Sequence, residues 1–148
     1  MQQPLRSLDD LSVGQEFDFG AFTMEEAEIL DFARRWDPQP FHTDPVRAKE
    51  GPFGGLIASG LHTQAALFSH VIRTGWVERV SLGGTEQLVR WPAPVRPGDA
   101  IGVTARVEEL IPSRSKPDRG VAKIRYTGRR VADGVVVIEI LGTHFFRR

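Results

Sequence analysis

Residues 56–73, LIASGLHTQAALFSHVIR, constrain the fold of this chain more than any other stretch. Ser59 is a candidate N-cap, since a serine hydroxyl there can satisfy an orphan N–H of the first helical turn. After it, Leu61, Ala65, Leu67 or Phe68, and Ile72 recur at helical spacing, and the helix is expected to run to about Arg73. The segment is apolar nearly all round, with Ala and Gly prominent, so burial is expected. Such a helix needs a surface that wraps it. Its two histidines, His62 and His70, stand eight positions apart. No common metal motif uses that spacing, and they read as ordinary helix residues.

The second half of the chain offers the wrapping surface. Thr85 to Trp91 is a strand candidate. Ile101, Val103, Ala105 and Val107 alternate with polar partners, and Ala122, Ile124 and Tyr126 repeat the pattern. Asp133-Gly134 is a hairpin signal, and Val135 to Phe146 reads as a long final strand. WPAPVRPGD, residues 91–99, cannot lie inside a central strand and ends in a Gly98-Asp99 turn. The fold class is therefore α+β: a curled antiparallel sheet around one long helix, in a single domain of residues 1–148. Such a sheet leaves an edge open, so a dimer that extends it is expected.

The first half is expected to open with an irregular lead-in, residues 1–14, ending in a turn at Gly14. A short strand follows over Gln15–Phe19, with Phe17 and Phe19 on one face. Thr23-Met24-Glu25-Glu26 fits a capping box, followed by a helical stripe of Ala27, Leu30, Ala33 and Trp36. Asp44-Pro45 reads as an N-cap with proline at the first helical position, and a short helix should reach Glu50. GPFGG, residues 51–55, is a tight or mobile connector.

Charge and composition exclude several function classes. Lys plus Arg and Asp plus Glu both number 19, so bulk charge does not suit nucleic-acid binding. There is no cysteine, which removes disulfides, thiolate nucleophiles and cysteine-based zinc sites. No run has the apolar length of a membrane span, and the N-terminus lacks a signal-peptide pattern. The expected location is the cytoplasm, without a membrane partner.

Trp36 to His42, WDPQPFH, carries the clearest chemistry. Asp37 and His42 are five residues apart, which on a helix would turn them roughly 140° from each other. Pro38 and Pro40 forbid a regular helix, so the stretch is expected to be a stiff loop able to bend both side chains towards one point. An imidazole and a carboxylate facing one water form an acid–base unit near neutral pH. Spacing alone also allows Asp37 to end the preceding helix and His42 to sit on the surface. The charged segment IPSRSKPDRG, residues 111–120, is open in the same way: Arg114, Lys116 and Arg119 could meet phosphates or form a solvated hairpin tip.

These residues resemble the MaoC-like dehydratases, the hotdog-fold family that includes R-specific enoyl-CoA hydratases. Their signature is Asp, any residue, Asn, Pro, an apolar residue and His, then Ala or Ser six positions later. Here it reads Asp37-Pro38-Gln39-Pro40-Phe41-His42, with Ala48 at the later position. GGLIASGLH matches the family's entry into the central helix, and WPAPVRPGD its bend before the last strands. The resemblance covers roughly residues 15–146. Three departures bear on substrate range more than on reaction type: Trp36 replaces a frequent Gly, Gln39 replaces Asn, and Phe41 is bulkier than usual.

The resemblance implies reversible hydration of trans-2-enoyl thioesters to R-3-hydroxyacyl thioesters, a reaction of fatty acid metabolism. Asp37 and His42 would be the catalytic pair. The Gly60 amide would bind the thioester oxygen at the helix start, with Ser59 capping the helix or touching Asp37. Gln39 would steady the loop, and Gly54 and Gly55 would let the connector bend over the site. Arg114, Lys116 and Arg119 are candidate contacts for CoA phosphates. The resemblance implies no metal or redox cofactor, since CoA or an acyl-carrier thioester is the substrate. It implies a homodimer, or a dimer of dimers or trimer of dimers. Thioester hydrolysis is the rival chemistry. Thioesterases of this fold generally place a carboxylate on the central helix, and none stands between Leu61 and Arg73. A non-catalytic acyl-CoA binder or partner subunit is the rival of another class.

Overall fold

The computed structural model describes residues 2–148, so Met1 of the expected lead-in lies outside it. Five strands form one antiparallel sheet: β1 (Glu16–Thr23), β2 (Ser81–Arg90), β3 (Ala100–Pro112), β4 (Arg119–Arg130) and β5 (Val136–Arg147). Their order is β1-β3-β4-β5-β2. Four helices accompany them: α1 (Glu26–Trp36), α2 (Pro40–Thr43), α3 (Pro45–Lys49) and α4 (Gly60–Arg73). α4 lies against the concave face of the curled sheet, which is the hotdog arrangement.

The alternation in β3, β4 and β5 sets the two faces of the sheet. Ile101, Val103, Ala105, Val107, Ala122, Ile124, Tyr126, Ile138 and Ile140 are all buried under α4 and the lead-in. Several outward positions carry paired charges. Arg125 of β4 bonds Glu108 at 3.0 Å and also Glu139, so one cation ties three neighbouring strands across the convex face. Register shifts in β1, between Asp18 and Ala21, and in β3, between Val107 and Glu109, bend the sheet as bulges do.

The seat of α4 depends on a missing side chain. Gly128 of β4 faces the helix, and a Cβ there would stand 2.6 Å from Ile138, 3.1 Å from Ile101 and 3.3 Å from Leu67 of α4. Glycine lets the helix axis come close enough for Leu67 to be fully buried. At the other end of α4, Trp76 is fully buried between Phe17 and Phe19, with ring centroids at 4.7 and 5.1 Å.

Several expectations are corrected. The buried face of α4 is Thr63, Leu67 and Val71, while Leu61, Ala65 and Ile72 are exposed. Only one flank of the helix meets this chain's own sheet. The stripe of α1 is Ile29 and Ala33 with Leu30 alongside, and both Ala27 and Trp36 are exposed. No capping box forms at Thr23–Glu26, because the β1 ladder runs on through Thr23, paired with Ala100, and Met24 bonds the Asp99 carbonyl. A capping box instead forms in the lead-in, between Ser7 and Asp10, around a short 3-10 turn, and it seats Leu8 in the core. β2 begins at Ser81, four residues before the expected Thr85. Asp44 caps α3 as expected, accepting from Val46 and Arg47 at 3.0 and 3.1 Å.

Replacing Gly128 by valine should force α4 off the sheet and cost about 1–3 kcal/mol or more. Urea denaturation should show a lower midpoint at an unchanged slope. An unshifted midpoint would mean that the helix does not need this close approach.

Candidate active site

Asp37 closes α1 as its C-cap residue, with its N–H bonded to the Ala33 carbonyl. Pro38 and Pro40 do not leave a plain loop after it. Pro40 occupies the first position of the one-turn helix α2, where its missing N–H costs nothing and its fixed φ suits the helix. This turn carries His42 back towards Asp37, with His42 Nε2 lying 3.4 Å from Asp37 Oδ2. The i, i+5 spacing therefore works because the chain extends once, at Pro38-Gln39, between two helical ends.

Each member of the pair is held by further bonds. Ser59 donates its hydroxyl to Asp37 Oδ2 at 2.7 Å, and the Gln39 amide donates to Asp37 Oδ1 at 2.8 Å. Ser59 occupies the N-cap position of α4, yet its side chain caps nothing, because the hydroxyl is committed to Asp37. His42 is buried, and its Nδ1 lies 2.8 Å from the Ile57 carbonyl. A carbonyl can only accept, so Nδ1 carries the hydrogen, and in the neutral ring Nε2 is left as the bare nitrogen facing Asp37.

Burial pushes the Asp37 carboxyl up, but the Ser59 and Gln39 donors and the adjacent His42 together hold it below the usual carboxylate range. The start of α4 adds a partial positive charge on the same side. The result is a fixed carboxylate beside a fixed imidazole nitrogen.

A cavity of about 460 Å³ opens on this pair. Asp37, Gln39, His42 and Gly60 line it, with Ile57 and Leu61 on its apolar wall. The first N–H groups of α4, beginning at Gly60, have no helical acceptor. Gly60 is glycine for a spatial reason, because a Cβ there would stand 2.7 Å from the Trp91 ring. The Trp91 indole donates to the Gly60 carbonyl at 2.9 Å, fixing that peptide.

Asp37, His42, Gln39, Ser59 and Gly60 thus converge. Gly54 and Gly55 lie beside the cavity and do not line it; the connector contributes Phe53, packed edge-on to Phe41 at 5.3 Å. Arg96 holds this connector through the Phe53 carbonyl at 2.6 Å. Arg114, Lys116 and Arg119 line a separate concavity at the β3–β4 hairpin with Leu82, Ile111 and Phe145. Arg119 is paired there with Asp118. His62 stacks on Phe32 at 4.8 Å, and His70 bonds the Phe19 carbonyl at 2.8 Å. Among the described residues, no group of three or more His, Cys, Asp and Glu is placed to hold a metal ion. No helix among them is long and apolar enough to cross a membrane.

Sequence reasoning did not single out Trp91 or the Ile57 carbonyl. Trp91 had a signal, as the one large aromatic residue opening the proline bend. A backbone carbonyl leaves none.

Comparison with known proteins assigns the family. The model of the MaoC like domain matches residues 10–129, and the chain belongs to this family. The crystal structure of the MaoC-like dehydratase from Rhodospirillum rubrum is similar, with a TM-score of 0.88 and 36% identity, covering 96% of this chain and 97% of that one. The 3-hydroxyacyl-thioester dehydratase Z of Mycobacterium tuberculosis is 37% identical over 103 residues, 66% of this chain and 67% of that protein. YdeM of Bacillus subtilis, an uncharacterized protein, is 33% identical over 110 residues, 74% of this chain and 78% of its own.

The Asp37 carboxyl should titrate below ordinary aspartates when followed by carboxyl-carbon NMR. Its folded-state value is depressed, so its contribution to stability is complete above the unfolded value of about 3.9 and is lost as pH falls through the folded value. Ser59→Ala removes one donor and should move the titration upward. An unmoved titration would show that the hydroxyl does not hold the charge.

Proposed function

We propose that this protein catalyses the reversible addition of water to trans-2-enoyl thioesters, giving R-3-hydroxyacyl thioesters. The observation that carries this reading is the single cavity in which Asp37, His42 and the unpaired amides at the start of α4 meet. Membership of the MaoC-like family supports it, as does the name of the mycobacterial dehydratase relative.

The geometry suits the three demands of the reaction. A water in the cavity, within reach of both side chains, gives a proton to His42 Nε2, the bare nitrogen, as its oxygen bonds C3 of the enoyl group. The π electrons move towards the thioester, whose oxygen becomes enolate-like and is met by the Gly60 N–H; a preorganised donor of this kind contributes about 3 kcal/mol. The proton taken from water then returns to C2, so the pair handles one proton in all. Asp37 begins as the anion, which suits it to orient the water and to pass a proton on only after receiving one. No metal or redox cofactor enters this scheme, and CoA or an acyl-carrier group arrives as part of the substrate. The absence of a carboxylate on α4 between Leu61 and Arg73 weighs against thioester hydrolysis.

A homodimer goes with this function. β2 is an edge strand of ten residues with Leu88 54% exposed, and Trp91 just beyond it is 46% exposed. Pairing two β2 edges about a two-fold axis doubles the sheet and covers both residues. Light scattering should give twice the chain mass, and Leu88→Asp should lower it towards one.

The activity test is hydration of crotonyl-CoA, followed as loss of enoyl absorbance. Wild type should be active, with Asp37→Asn and His42→Ala each lower by about 100-fold or more. Equal activity in all three would remove the pair from the chemistry. Ligand binding without turnover would favour the non-catalytic reading.

A further inference from the structure

A second cavity, of about 420 Å³, lies on the same flank of α4, further along the helix. Phe68 and Ile72 of α4, Gln87 of β2, and Tyr126 and His144 of the sheet line it. Tyr126 and His144 are both buried, with the phenol oxygen 3.2 Å from His144 Nε2, and neither takes part in the chemistry above. The first cavity reaches along α4 only to Leu61 and Thr63. Between the two stands Gln64, whose amide donates to the Gln87 side-chain oxygen at 2.7 Å, a bridge from α4 to β2.

We propose that the Gln64–Gln87 bridge is the chain-length gate of the acyl site. Closed, it confines the acyl tail to the first cavity. Opened, it admits the tail to the cavity floored by Tyr126 and His144. The inference rests on reading the Asp37–His42 cavity as an enoyl-thioester site.

Distance along the helix sets the length that the closed gate allows. Gly60, where the thioester oxygen binds, and Gln64 are one helical turn apart, about 6 Å of axis. An extended carbon chain advances by less than its bond length of roughly 1.5 Å per bond, so about four or five bonds fit. Phe68, at the second cavity, stands one further turn along. The bridge is an uncharged amide pair joined by one hydrogen bond, so it can swing aside. Swinging it aside for an apolar tail breaks this hydrogen bond, which disfavours long chains without forbidding them. The second cavity also selects against charge. Neither Lys nor Arg lines it, Glu86 stands at its wall, and burial depresses His144 to about 4, leaving its ring neutral near pH 7. The substrate class is therefore a short acyl chain, and a tail long enough to enter the second cavity must be uncharged there.

The test compares kcat/KM for enoyl-CoA substrates of four to twelve carbons in wild type, Gln64→Ala and Gln87→Ala. Wild type should lose roughly tenfold or more between six and ten carbons. Each variant should recover about tenfold at ten carbons while changing less than about twofold at four. Adding Phe68→Trp to Gln64→Ala fills the second cavity and should abolish the gain. Circular dichroism checks that each variant folds. Identical length profiles in wild type and variants would overturn the gate. So would a wild type that turns over ten carbons as well as four, or a gain that survives Phe68→Trp. A wild type silent at every length would sink the hydration reading itself. Calorimetry with saturated acyl-CoA of the same lengths then decides the gate, which requires the variants alone to gain affinity for the long chains.

Discussion

The close approach of α4 to the sheet at Gly128 is the constraint on which the rest of the molecule depends. Leu67 is fully buried there because β4 presents no side chain beneath it. Once that contact is made, the helix has one height and one direction over the concave face. Its N-terminus then points at the end of α1, its exposed flank faces β2, and its C-terminal turn delivers Trp76 to the two phenylalanines of β1. The functional groups are tied to the start of α4, Asp37 through Ser59 and His42 through Ile57 just before the helix.

Ser59 shows how local stability is exchanged for geometry. A serine at an N-cap ordinarily bonds the helix it starts, which is worth about 1 kcal/mol. Here the hydroxyl turns away to Asp37, 22 residues earlier in the chain. The first amides of α4 are thereby left without a side-chain cap, and an anionic oxygen could satisfy them. The bond that fixes the carboxylate and the vacancy that favours an oxyanion are two results of one rotamer.

The central strands were legible because alternation leaves a direct mark: every inward residue from Ile101 to Val107 is apolar and every one is buried. The Asp37–His42 pair was legible through its proline-framed spacing and its family likeness. Other features were hidden for physical reasons. Thr23-Met24-Glu25-Glu26 satisfies the local rule for a cap, but β3 competes for the same backbone and prevails. The buried face of α4 leaves little trace because a helix apolar on most sides carries little angular information; Leu67 lies inside as expected, but so does Thr63, a polar residue, while Leu61 and Ile72 lie outside. β2 begins before its expected start because Gly83 and Gly84 weaken the strand signal where the ladder with β5 already holds.

The Ile57 carbonyl has a consequence for how such a site can change over generations. The tautomer of His42 is dictated by a main-chain oxygen, which every amino acid supplies. The Ile57 side chain meanwhile stands on the cavity wall. Position 57 can therefore drift through residues of different bulk, reshaping what the cavity accepts, while the imidazole keeps its bare nitrogen. Heritable variation in specificity is uncoupled from variation in the proton-transfer apparatus at a residue that touches both.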